Sequence, residues 1–193
     1  SASPSDGKSS VVANLATVIA QSEKDVVVID GDMRRPTLHK VFKLSNRIGL
    51  SDYFIRTPDK MTGVVKKTKV NNLNIITSGS LPPNPSELLS STKMKDVLNL
   101  LAKHFDMVLL DSPPLLAVTD ALILAKGVDG VLLVVDPKKT KRGAIRQAIE
   151  QLQRADARLL GVVLNNIKVK RSSYYYNRDY YYSKQYGRAS EDT

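Results

Sequence analysis

Three short stretches set phosphate-binding or acidic residues beside apolar runs. The first, ASPSDGKSS (2–10), fits a relaxed phosphate-loop pattern in which Ala or Gly precedes four residues and then Gly-Lys-Ser. Gly7 lets the backbone curl so that its N–H groups face phosphate oxygens. Lys8 reaches the terminal phosphates, Ser9 ligates Mg²⁺, and the helix that follows adds its positive end. A serine-capped turn is the plain alternative. Glycine is more usual at position 5, and Ser5 is strained there if the loop requires a positive φ. The second stretch, VVVIDGDMRRP (26–36), delivers Asp30 and Asp32 just past a β-branched run. Two carboxylates one residue apart suit a Mg²⁺ hydration shell, or one of them suits a general base. The third, FDMVLLDSPP (105–114), ends another apolar run in Asp111, as a metal-facing acid on a rigid strand tip requires. Together, in this order, the three favour a nucleotide hydrolase or kinase.

The elements that must hold these residues are legible as alternating patterns. DVVVID (25–30), LNIIT (73–77), MVLLD (107–111), GVLLVVD (130–136) and LLGVVLN (159–165) read as strands, three of them apolar enough to be covered on both faces. Helical faces read as Val12, Leu15, Ala16 and Ile19; as Met94, Val97, Leu98, Leu101 and Phe105; and as Ile145, Ala148, Ile149, Leu152 and Ala155. Strands alternating with helices predict an α/β domain, a mainly parallel sheet flanked by helices on both faces. Its ligands belong at the carboxyl edge of the sheet. Residues 56–72 and 78–87 read as loops.

At 193 residues the chain is one substantial domain. It has no cysteine, which excludes disulfides and thiolate metal sites and fits a cytosolic setting. No apolar run is long enough to span a bilayer. Lys and Arg outnumber Asp and Glu by 29 to 19. Part of the excess is clustered at Lys66, Lys67 and Lys69, at Lys138, Lys139, Lys141 and Arg142, and at Lys168, Lys170 and Arg171. Such clusters are either solvated faces or a preference for polyanions. The strand–helix rhythm stops near residue 168. Residues 1–167 are therefore read as the compact domain and 168–193 as a disordered basic tail. Every tyrosine but Tyr53 lies in that tail: Tyr174, Tyr175, Tyr176, Tyr180, Tyr181, Tyr182 and Tyr186.

SPSDGKSS, VVVIDGDMRRP and MVLLDSPP resemble the Walker A, A′ and B motifs of the bacterial protein-tyrosine kinases of polysaccharide export. GLSDYF (49–54), SGSLPPNPSELLSS (78–91), VTDALILAKGVDGVLLVV (118–135) and the tyrosine cluster are similar to that family too. The resemblance implies a P-loop NTPase fold of the partition-ATPase kind and a kinase using ATP and Mg²⁺. Ser5, Asp6, Gly7, Lys8, Ser9 and Ser10 would bind the nucleotide phosphates, and Asn165 the adenine edge. Ser9, Asp30, Asp32 and Asp111 would surround the metal. Asp30 would act near the attacking tyrosine as base or through a metal-bound water, with Lys8 and Asp32 completing the catalytic set. Arg34 and Arg35 would orient phosphate or an incoming acidic chain. The seven tail tyrosines would be phosphoacceptors, modified in trans by other copies in a homo-oligomer. Further implied partners are a membrane-bound co-polymerase-type activator, fused or separate, a tyrosine phosphatase and protein substrates. These place the chain in the cytoplasm, at the inner face of the plasma membrane. No specific nucleic acid is expected.

The chain opens at Ser1, inside the phosphate loop, and reads as a fragment without the strand that feeds that loop or the helix before it. Such a sheet is expected to expose strand edges in its middle. Two other readings compete. Partition and division-site ATPases share all three motifs but carry a signature lysine where this chain has Ser3. A non-catalytic module could instead bind single-stranded nucleic acid through the basic, tyrosine-rich tail.

Overall fold

Val26–Asp30 form the central strand, β1, and all five residues are buried. A β-branched run with no polar alternation needs cover on both faces, and it finds it. Val27 and Ile29 face one apolar cluster with Met33, Leu50, Met94, Val97 and Leu101. Val26 and Val28 face a second, with Ala13, Ala16, Ala20 and Leu38. A computed structural model describes residues 1–56 and 61–167 of this arrangement.

Along the chain, α1 (Lys8–Gln21) leads into β1, followed by α2 (Leu38–Val41), α3 (Leu50–Arg56) and a 3₁₀ turn (Met61–Gly63). Strands β2 (Val65–Lys67) and β3 (Leu73–Ile76) follow, then α4 (Pro85–Ser90), α5 (Thr92–Ala102) and β4 (Met107–Asp111). The chain continues through α6 (Asp120–Ala125), β5 (Val131–Val135), α7 (Arg142–Arg154) and β6 (Leu159–Leu164). The α/β class and the five expected strands are present, each within a residue or so of its expected ends. The loop reading of 56–72 is corrected by β2, which pairs antiparallel with β3. Three residues of the sequence VKK carry no apolar signal, because lysine-bearing edge strands are protected by charge instead of burial.

The expected face of α1 is present in part, since Ala16 is buried and Val12 and Ile19 pack against the same cluster. Its fully buried residues are Ala13, Ala16 and Ala20, small side chains that let the helix lie close on β1. Val12, Leu15 and Ile19 also line a crevice of about 530 Å³.

The sheet is in two parts. One has the order β2-β3-β1-β4, parallel except for β2; the other is the parallel pair β5-β6. Among the described residues no strand pairs with the second edge of β4 or with that of β5. The crevice lies between them, lined by Met107–Ser112 from one side and by Gly130–Val134 from the other. A third apolar cluster, built on Leu133, Val135, Ala148 and Leu152, holds α7 against the two-stranded part.

Candidate active site

Strand register brings the first two carboxylates together. β1 and β4 are parallel neighbours, and Asp30 stands directly opposite Asp111 at their carboxyl ends. Both are buried, at 0% and 3% exposure. One oxygen of each is occupied. Asp30 Oδ2 accepts the amides of Thr37 (3.2 Å) and Leu38 (3.1 Å), and Asp111 Oδ1 accepts the amide of Ser112 (3.1 Å). Asp30 Oδ1 and Asp111 Oδ2 are buried without a partner. Buried polar atoms are almost always satisfied, so two orphans side by side mark a place built for something else.

The electrostatics follow from that geometry. Burial, reinforced by the Asp111 carboxylate, pushes Asp30 up to about 7. Burial also raises Asp111, opposed by the nearby Ser9 hydroxyl and the Lys8 ammonium. The strands can approach because residue 31 is glycine. Its N–H donates to the Asp111 carbonyl at 2.8 Å, and a Cβ there would strike that oxygen and Leu124.

The phosphate loop is shaped by two positive φ angles. Gly7, at φ 87°, begins α1, and Ser5 sits at φ 62°. The strain expected at Ser5 is therefore present. No acidic residue occupies the first turn of α1, so its positive end is uncompensated. Asp6 is fully buried and faces the protein. Its Oδ1 accepts the Thr140 hydroxyl at 2.6 Å and its Oδ2 the Ser3 amide at 3.1 Å. It thus shapes the loop from beneath, and only its backbone remains for a ligand. Asn165 donates its amide to the Asp6 carbonyl at 2.9 Å and packs where a side chain on Gly7 would stand. Lys8, Ser1 and Asp111 all line the crevice.

Asp32 adds its charge to the carboxylate pair, raising both Asp30 and Asp111, but its own hydrogen bonds are local. Past Gly31 it turns back, and its Oδ1 caps its own loop by accepting the amides of Arg34 (3.2 Å) and Arg35 (2.9 Å). Among the described residues no three acidic, histidine or cysteine side chains gather as a metal cage, so the expected set of Asp30, Asp32 and Asp111 does not converge. Mg²⁺ is compatible with what is there, since it keeps water and phosphate ligands and needs few protein oxygens. The orphaned oxygens of Asp30 and Asp111, with Ser9 nearby, fit that demand.

Arg34, expected to face phosphate, is engaged elsewhere. It forks onto the buried Asp120 with Nε–Oδ2 at 2.8 Å and Nη2–Oδ1 at 3.1 Å. Arg35 is exposed.

The chain matches the model of an AAA domain family over residues 5–165. It is 41% identical over 187 residues to the tyrosine-protein kinase YwqD of Bacillus subtilis, covering 95% of this chain and 78% of that one. The chain belongs to the bacterial tyrosine-protein kinases. The kinase domain of the Escherichia coli tyrosine kinase ETK superposes on it with a TM-score of 0.83 at 37% identity, covering 89% of this kinase and 67% of that chain. The cell-division ATPase MinD of Pyrococcus furiosus superposes with a TM-score of 0.70 at 23% identity, covering 84% of this chain and 68% of its own. That likeness is one of fold, the P-loop ATPase fold of the partition and division type.

Three residues of the kinase's site escaped the sequence reading. Thr37 donates its hydroxyl to Ser9 at 2.8 Å, tying the A′ stretch to the phosphate loop. Thr140 and Asp120 hold Asp6 and Arg34 from positions 134 and 86 residues away. Only Thr37 had a local signal, a hydroxyl closing the run GDMRRPT. The tail tyrosines Tyr174–Tyr186, and the tail itself, lie outside the described residues.

Proposed function

We propose that this kinase transfers the γ-phosphoryl group of ATP to tyrosines of the 168–193 tail on a neighbouring copy, with residues 1–167 as the catalytic domain. The observation that carries this reading is the in-register Asp30–Asp111 pair, each with an unpartnered buried oxygen, with Ser9 and Lys8 near Asp111. A tyrosine hydroxyl, with a pKa of about 10, is a poor nucleophile at neutral pH. Asp30, whose proton affinity burial places near pH 7, is matched to receive that proton as the hydroxyl attacks. The amides of Thr37 and Leu38 hold its Oδ2, which leaves Oδ1 to face the reacting group. Lys8 and the N–H groups of Gly7 to Ser10 bind the β- and γ-phosphates. Ser9, Asp30 and Asp111 would hold Mg²⁺, which when bound would neutralise phosphate charge. Asp32 shapes the loop that follows, and Asn165 offers its Oδ1 to the nucleotide.

Each phosphate adds about −1.5 to −2 charges, so successive transfers turn a basic tail acidic and change how copies associate. Polysaccharide synthesis and export would be the process so regulated. A membrane-bound activator, fused or separate, would hold the chain at the inner face of the plasma membrane. Among the described residues no helix is long and apolar enough to cross one. A tyrosine phosphatase would reset the tail, and other proteins would serve as further substrates.

The test is incubation with Mg²⁺·ATP followed by phosphosite mapping by mass spectrometry. Phosphate on Tyr174–Tyr186, lost in Lys8→Met and Asp30→Asn, is expected. Labelling confined to serine, or oligonucleotide binding without ATP turnover, refutes the reading.

A further inference from the structure

Asp30 is aimed by two amides, those of Thr37 and Leu38, and the segment that presents them is pinned at few points. Gly31 is tied to the Asp111 carbonyl, and Met33 is sunk in the core at 1% exposure. Asp32 bonds only within its own turn. From Arg34 to Thr37 the side-chain holds on the rest of the domain are the Arg34 fork at one end and the Thr37 hydroxyl on Ser9 at the other. Two of the guanidinium bonds end on Asp120, whose side chain is wholly buried at the first residue of α6.

Ser86 on α4 completes the cluster. Its hydroxyl donates to Asp120 Oδ1 at 2.6 Å and accepts from Arg34 Nη2 at 3.2 Å. Three segments that surround the carboxylate pair therefore meet on one carboxylate: the A′ loop, the start of α4, and the helix that follows β4. Burial alone would raise the Asp120 carboxyl, but the Arg34 and Ser86 bonds outweigh it and hold it low, so it stays ionised. A bidentate Arg–carboxylate pair fixes orientation as well as distance, which a lysine could not do.

We propose that Asp120 is a positioning residue for phosphoryl transfer: through the Arg34 fork it fixes the loop that orients Asp30 and sets Thr37 against Ser9. Asp120 touches neither nucleotide nor tyrosine; it acts through Arg34. The Arg34–Asp120–Ser86 cluster makes no direct bond to residues 2–10, and its one link to the phosphate loop runs through Thr37 and Ser9. The proposal rests on the kinase reading above, and its test separates the two.

The full chain carrying Asp120→Asn, which keeps shape and the Ser86 contact, is compared with wild type in three measurements. Tail phosphorylation is expected to lose 10- to 100-fold in kcat with little change in KM for ATP. The Kd for ADP is expected to stay within about twofold. Amide hydrogen exchange is expected to quicken in the peptide spanning residues 31–41, while peptides from α1 and β1 keep their protection. Arg34→Lys should regain part of the loss seen in Arg34→Ala, since it restores charge without the fork.

A kcat within twofold of wild type, or unchanged exchange over residues 31–41, overturns the proposal. So does a fall in ADP affinity parallel to the fall in rate, which would mean general disruption. Should Asp120→Asn not fold, Ser86→Ala and Arg34→Lys leave the carboxylate in place and carry the same three measurements. If wild type labels no tyrosine, the kinase reading fails while the exchange measurement still decides whether Asp120 holds the loop.

Discussion

The tips of β4 and β5 carry the same local sequence signal and have opposite fates. MVLLD ends in Asp111 and VLLVVD in Asp136, each an acid at the end of an apolar parallel strand. Asp111 lies opposite Asp30, keeps an unpartnered buried oxygen, and is pushed up by burial. Asp136 is equally hidden at 1% exposure, yet both of its oxygens are satisfied. The Asn166 amide donates to Oδ2 at 2.8 Å and the Lys138 N–H to Oδ1 at 3.0 Å, and these bonds, with Lys139 nearby, hold its carboxyl low. One acid closes a turn; the other keeps a buried oxygen unpaired. An acid at a strand tip is thus a position, and what its neighbours leave unpaired decides its use.

The largest effect that could break this contrast is on activity. Asp30→Asn and Asp111→Asn should each lower tail phosphorylation by at least about 10³-fold, the scale expected for loss of a base and of transition-state charge stabilisation together. Asp136→Asn should cost less than tenfold in the same assay. The two classes should also diverge in stability. Neutralising Asp30 removes a buried charge held beside another, so the metal-free variant should melt higher than wild type at pH 8. Asp136→Asn should melt lower. Equal losses of activity at the two tips would end the distinction.

The pH dependence should have opposite signs at the two tips. Asp30 has a folded pKa near 7, above its unfolded value, so the folded state holds an extra proton between about pH 4 and 7. Without metal, that group makes stability fall as pH rises through this window, by about 1.4 kcal/mol per unit at most, and the penalty is complete above 7. Asp136 is depressed, so its contribution is present above about pH 4 and is lost in acid. Denaturant midpoints of metal-free wild type and Asp30→Asn, measured from pH 4 to 8, should separate progressively. Parallel curves would show that Asp30 does not carry the buried charge.

Which parts of this were readable in the sequence follows from how far apart the interacting groups lie. The five strands were legible because burial on both faces leaves a run of branched residues. Asp30 and Asp111 were legible because each ends such a run. The same rule picks out Asp136 and cannot set it aside, since Asn166 reaches it across 30 residues. Asp32 read as a metal neighbour on spacing alone, whereas the turn after Gly31 commits its Oδ1 to backbone amides. Asp120 and Thr140 were illegible because their roles exist only in long-range pairs. The edge strand β2 was hidden by its lysines. Asp6 read as a loop residue, which it is, although its carboxylate serves the domain beneath the loop.

That long-range support predicts an intermediate effect. Thr140→Val removes the hydroxyl that Asp6 Oδ1 accepts and leaves a buried carboxylate oxygen unsatisfied. Such a loss costs about 1.5–3 kcal/mol when the acceptor is charged. The cost should fall on the phosphate loop, as a lower melting temperature and a several-fold weaker Kd for ADP. An unchanged ADP affinity would mean that the loop holds its shape without Asp6.

The smallest effect concerns Ser5, the other strained point of the same loop. A non-glycine residue at φ 62° pays a left-handed penalty of about 1–2 kcal/mol. Glycine would remove it, but glycine also gains freedom in the unfolded chain, worth roughly 0.5–1 kcal/mol. The difference predicts that Ser5→Gly stabilises by about 0.5–1 kcal/mol, read as a small rise in denaturant midpoint with no change of slope. Because the Ser5 carbonyl is also approached by the Lys139 ammonium at 3.5 Å, the backbone path is held from outside and should survive the substitution. ADP affinity should therefore hold or improve slightly. A destabilised Ser5→Gly would mean that the serine hydroxyl contributes more than its backbone angle costs, and that the loop is shaped by this side chain as much as by Asp6.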